Sequence, residues 1–118
     1  MTSARDYYQA MAERGRLAII MDSAGERVLG GCSFFVVRDN ADVETLVRRP
    51  LFELVEDYPN GEGLYIDTLW ALHWDRAMRL GIEEALARSQ PQFVWAAWYR
   101  PSQSGDRRYT IRRRLLHV

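Results

Sequence analysis

Asp67 is the one carboxylate inside the apolar run "GLYIDTLW" at residues 63–70. Withdrawn from water in such a strand, it is suited to general-base work, such as taking a proton from an amine nucleophile. The structural alternative is that Asp67, or Thr68 beside it, caps the helix that follows. His73 lies near the expected start of that helix, where an imidazole can also act as a base; the simpler account is a partly exposed surface histidine. Tyr99 ends a second apolar run, "FVWAAWYR" at 93–100, and a phenol there can serve as a general acid. Tyrosines at strand ends also bury the ring and leave the hydroxyl wet. Trp70, Trp98 and Tyr65 are the candidates for lining a substrate cleft, against the plainer role of core aromatics.

Other chemistries find little support in the residue types. Cys32 is the only cysteine, so an internal disulfide is excluded and no Cys/His set for zinc exists. Mid-strand and without a neighbouring histidine, it reads as a buried, inert thiol. His73 and His117 are far apart in sequence, and no metal site is expected. Formal net charge is zero, which argues against non-specific binding to nucleic acid or to a membrane. The charge is unevenly spread: residues 39–67 carry eight acidic side chains and two Arg, while residues 100–118 carry six Arg and one Asp. Such an asymmetry can pair within the fold, between copies, or with another protein. The tail "RRYTIRRR" would place few arginines on one strand face, too modest a stripe to favour nucleic acid. All sixteen basic residues are Arg, so the chain is lysine-free, as high-GC codon usage would produce.

Positioning these groups requires a scaffold, and 118 residues suit one domain. No apolar stretch approaches the roughly 18 residues of a membrane span, and the charged start "MTSARDYYQAMAERG" lacks a signal core, so a cytoplasmic protein is expected. Ser3 with Asp6 three residues on resembles a capping box, and Tyr7, Ala10 and Met11 recur at helical spacing before Gly15, predicting a helix over about 4–14. "RLAIIMD" and "RVLGGCSFFVVRD" flank "SAGE" as a β-hairpin. The second of these strands is apolar on both alternations, with Val28, Cys32, Phe34 and Val36 on one face and Leu29, Phe35 and Val37 on the other. It should therefore be central, and Gly30-Gly31 suggests a bulge or a close backbone approach.

Two short helical segments, "ADVETLVRR" and "PLFELVED", are expected on either side of Pro50. A strand at "GLYIDTLW" then leads to a helix whose apolar stripe is Trp74, Ala77, Met78, Gly81, Ile82, Ala85 and Leu86, with Arg76, Arg79, Glu83 and Arg88 opposite. "FVWAAWYR" and "RRYTIRRRLL" complete the set as strands. The class is α+β, a single domain with a mixed, mostly antiparallel sheet containing one βαβ unit.

This order of elements, with "GLYIDTLW" and "FVWAAWYR" either side of the helical "HWDRAMRLGIEEALARS", resembles the GNAT N-acyltransferase superfamily over roughly residues 4–116. The resemblance implies that the two parallel strands splay apart and that acyl-CoA lies between them. Asp67 would then deprotonate an amine acceptor, and Tyr99 would protonate the leaving thiolate. The family's diphosphate signature, a Gln or Arg followed by glycine-rich positions at the helix start, works by presenting backbone N–H groups to the diphosphate. Here Arg76 is followed by Arg79 where that signature has glycine, so acyl-CoA is the implied cofactor without an evident diphosphate loop. The chain is either an atypical or degenerate GNAT-like acyltransferase or a non-enzymatic interaction and assembly module, accessory or phage-encoded, that uses its acidic 39–67 segment and basic tail to bind a second copy or a protein partner.

Overall fold

The computed structural model describes residues 2–89, 93–102 and 105–112, with side chains as far as Trp98. Helix α1 (Ala4–Glu13) starts where Ser3 accepts the Asp6 backbone N–H at 3.1 Å, and the chain turns out of it at Gly15, whose φ of +71° glycine adopts without strain. Strands β1 (Leu17–Met21) and β2 (Val28–Val37) form the hairpin. Helix α2 (Asn40–Arg48) is capped by Asp39, then β3 (Gly63–Ala71), α3 (Arg76–Ser89), β4 (Trp95–Ser102) and β5 (Gly105–Arg112) follow.

Among the described residues the strands form one sheet in the order β1-β2-β3-β4-β5. Every neighbouring pair is antiparallel except β3 and β4, which run parallel with α3 as their crossover. The expected class, α+β with a mixed sheet and one βαβ unit, is what the chain adopts. No helix among the described residues is long and apolar enough to cross a membrane.

Two cores sandwich the sheet, because β2 and β3 are apolar on both faces. Cys32, Phe34, Val36, Leu64 and Ile66 meet Met78, Ile82 and Leu86 of α3 on one side. Phe35, Val37 and Tyr65 meet Tyr7 and Met11 of α1 and Val43 and Leu46 of α2 on the other. Leu29 departs from the expected alternation and packs with the α3-side core. The pairing of β1 with β2 shifts between Ile20 and Met21, and the extra residue in β2 reverses the phase there. The glycine pair beside it permits the close approach anticipated for it. A Cβ at Gly30 would lie 2.6 Å from the Trp70 carbonyl oxygen, and one at Gly31 would lie 2.8 Å from the Trp70 ring.

The expected helical turn at "PLFELVED" is not formed. Phe52 takes φ +65°, a left-handed conformation unfavourable for an aromatic residue, and this breaks any continuation of α2. The conformation is held by its ring, which packs 5.2 Å from Tyr7 and 5.9 Å from Tyr8, while Leu54, Val55 and Tyr58 cover the same core. Asp57 ties the segment to the sheet by accepting the Val36 N–H at 2.8 Å and pairing with Arg16 at 2.7 Å.

Candidate functional site

A bulge in β3 sets the position of Asp67. Ile66 pairs with Phe34 and Thr68 with Ser33, which leaves Asp67 without a partner residue on β2. Side chains alternate along a strand, but across this extra residue two successive ones point the same way. Asp67 and Thr68 thus both face α1. Asp67 Oδ2 accepts the Tyr7 hydroxyl at 2.5 Å and the Arg49 guanidinium at 2.7 Å. Tyr7 spends its only proton on Asp67, so at 2.6 Å from Ser33 it accepts the serine hydroxyl, and Ser33 in turn accepts from Thr68 at 2.6 Å. The hydroxyls form a directed chain, Thr68 to Ser33 to Tyr7, ending on the carboxylate.

Pro50 brings the cation to this network. It cannot continue α2, and it forces Arg49 into an extended conformation (φ −71°, ψ 158°). The guanidinium then lies 5.0 Å from the Phe35 ring centre and against Asp67, with the two side chains 8% and 4% exposed. Burial, and next the hydrogen bond to Asp67, push the Tyr7 phenol far above the usual tyrosine range, so it stays a proton donor. The helix-capping role considered for Asp67 and Thr68 is not theirs. Asp75 caps α3, its Oδ1 accepting the Met78 N–H at 2.8 Å.

The second feature lies on the opposite face of the sheet. Parallel pairing of β3 with β4 runs from Gly63–Trp95 to Ile66–Trp98 and stops, although β3 continues to Ala71 and β4 to Ser102. Where they part, Ile66, Leu69, Trp74 and Trp98 enclose a cleft over α3, with Arg79, Ile82, Glu83 and Leu86 as its floor. The cleft spans about 250 Å³, part of it open to solvent, with interior room for about one water molecule. Glu83 was expected on the polar side of α3. It is instead 5% exposed, and burial raises its carboxyl above the usual range, partly offset by Arg79. Its Oε1 lies 3.5 Å from Arg79 Nε and has no hydrogen-bond partner among the described residues.

The sequence candidates are therefore dispersed. Asp67 lies in the buried network and Trp98 in the cleft, on opposite faces. Trp70 sits on the Asp67 face, edge-on to Tyr8 at 5.6 Å, and Tyr65 is buried in the core beneath α1 and α2. His73 is exposed, its Nε2 3.7 Å from Asp75 Oδ2. Tyr99 is placed by its backbone in β4 opposite Arg108, and its side chain lies outside the described residues. The side chains of the basic tail lie outside them too. Within the acidic segment, Asp42 binds the Arg38 guanidinium through both oxygens at 2.9 Å, so that with Asp57 and Asp67 three of its carboxylates are satisfied by nearby arginines. Arg38, through its hydrogen bonds, holds the Asp42 carboxyl below the usual range. Among the described residues no group of His, Cys, Asp and Glu could hold a metal ion.

No family model and no curated protein matches the chain.

Cys32 faces the α3-side core and is fully buried, and burial pushes its thiol up to about 12. It should not react with a thiol reagent in the native protein and should titrate as one thiol in denaturant. Rapid labelling without denaturant would contradict its buried position.

Proposed function

We propose that the chain is an atypical acyltransferase of the GNAT type that receives a thioester-borne acyl chain between β3 and β4 and passes it to an amine. The observation that carries this is the parting of the parallel pair beyond Ile66 and Trp98 over an apolar cleft. A slender chain can enter such a gap without breaking hydrogen bonds that the strands make with each other. In the transfer, the amine nitrogen attacks the thioester carbonyl, the carbon–sulfur bond breaks, and the thiolate leaves with a proton.

The α3 N-terminus argues against CoA as the donor. Asp75 already occupies it, and its carboxylate would repel a diphosphate at the place where helix N–H groups would otherwise bind one. The donor arm is therefore carried by something other than a nucleotide. Asp67 remains the candidate base for the amine proton, but it must first release the Tyr7 or Arg49 contact that it now accepts.

S-acetylpantetheine, which lacks the nucleotide, should raise the melting temperature as much as acetyl-CoA does; at 100 times its dissociation constant a ligand adds about 2.7 kcal/mol. Stabilisation by acetyl-CoA alone would reverse the assignment of the donor, and a null result with both would remove the acyl-handling function. The interaction-module reading is favoured by the apolar side chains left exposed on the hairpin, Ile19, Met21 and Val28, and it predicts that null result.

A further inference from the structure

The sheet has one flank that the fold itself leaves unpaired. β1 is the outermost strand on its side, and among the described residues nothing is hydrogen-bonded to its outer edge. Two contacts fix the phase of its bonds. The Phe34 N–H donates to the Arg16 carbonyl at 3.1 Å and the Asp22 N–H to the Arg27 carbonyl at 2.9 Å, so alternate residues Arg16, Ala18, Ile20 and Asp22 bond inward to the hairpin partner. Leu17, Ile19 and Met21 therefore aim their N–H and C=O groups away from the sheet. Ile19 and Met21 also leave their side chains 41% and 40% exposed on the α1 face.

An open edge invites association, and folds commonly protect it with charge, proline or a covering segment. "LAIIM" carries neither charge nor proline. The same flank further along is covered: Val36 donates its N–H to Asp57 at 2.8 Å and accepts the Tyr58 N–H at 3.1 Å. The chain thus seals the flank beside the end of β2 and leaves β1 open.

We propose that β1 pairs antiparallel with β1 of a second copy, about a two-fold axis at Ile19, and joins the two sheets into one. The strand is complementary to itself in this register. Ile19 faces its own copy in a hydrogen-bonded pair, Leu17 faces Met21, and Ala18 faces Ile20, so every cross-strand contact is apolar. At the two ends Arg16 faces Asp22 of the second copy, with opposite charges. The registers one step to either side keep the bond phase but set Arg16 against Ile20 or Asp22 against Ala18. Charge and apolar pattern together select the pairing centred on Ile19, and another protein's strand would have no reason to match both.

Light scattering on the intact protein should show a dimer that dissociates on dilution and responds little to salt, because backbone bonds and apolar contacts hold it. Ile19→Arg places like charges together on the axis and should weaken dimerisation about tenfold or more. Cross-linking reads the register. Cα atoms of a hydrogen-bonded antiparallel pair lie about 5.5 Å apart, within the disulfide range. Ile19→Cys should therefore oxidise to a covalent dimer under conditions where Met21→Cys, away from the axis, and Val28→Cys, one strand inward on the same face, do not. A mixture of Leu17→Cys and Met21→Cys should cross-link between the two variants. Cys32 is fully buried and does not compete.

A monomer at every concentration, a dimer that Ile19→Arg leaves intact, or Ile19→Cys cross-linking no faster than Val28→Cys overturns the proposal. An assembly that salt dissolves does so too, and assigns association to the charged segments. None of these readouts involves an acyl donor, so a null result with S-acetylpantetheine leaves the pairing standing.

Discussion

Replacing Arg49 with methionine lowers the unfolding free energy by about 3–5 kcal/mol. The size follows from what the variant leaves behind. Asp67, 4% exposed, would keep its charge or take up a proton with no cation beside it, and the Tyr7 hydroxyl alone cannot replace a guanidinium. Removing both partners is a different experiment. In Arg49→Met with Asp67→Leu no charge is stranded, and well-packed apolar replacements of buried pairs are often close to neutral, so the double variant should recover most of the loss. Urea unfolding of the two single variants and the double variant gives the coupling directly. A loss below about 1 kcal/mol for Arg49→Met, the range of exposed pairs, would mean that solvent reaches this pair.

Phe35→Ala should cost a similar amount, about 3–5 kcal/mol, through the cavity left in the core beneath α1 and α2. Its interest lies in coupling. The Arg49 guanidinium lies over the Phe35 ring, so the combined variant should lose less than the sum of the two single losses. Phe34 is equally buried but faces α3 on the other side of the sheet, and Phe34→Ala should add to Arg49→Met without coupling. Coupling of the same size for both phenylalanines would show that the cost arises from general loosening of the sheet and not from the ring beneath the cation.

The elements themselves were legible in the sequence because each has a local cause. Ser3 caps α1, Pro50 ends α2, the two-sided apolar pattern of β2 makes it an interior strand, and the stripe of Met78, Ile82 and Leu86 fixes the inner face of α3. What escaped was set by long-range partners. Nothing adjacent to Asp67 in sequence announces that Arg49 and Tyr7 will reach it, and the capping role went to Asp75 because α3 begins at Arg76, later than the apolar stripe from Trp74 implied.

Bulges account for a second class of difference. Alternation assigned Leu29 to the wrong face because one additional residue in β2 shifts the phase; the Gly30-Gly31 pair beside it signals a bulge but not which residue is the additional one. Glu83 was assigned to solvent from its charge. Its neighbours carried the contrary signal, since a residue between Ile82 and Leu86 on a helix borders the apolar stripe.

The unmatched position of Asp67 in β3 also governs how this strand tolerates changes in length. Deleting one residue between Ile66 and Leu69 would remove the bulge and restore plain alternation, so Leu69 and Ala71 would still face α3 and Trp70 would still face α1. The ladder already matches Ile66 to Phe34 and Thr68 to Ser33, so a shortened strand keeps its partners and loses only the contacts that Asp67 makes with Tyr7 and Arg49. The strand thus holds one position in reserve, which it can lose without exchanging the two surfaces of the sheet.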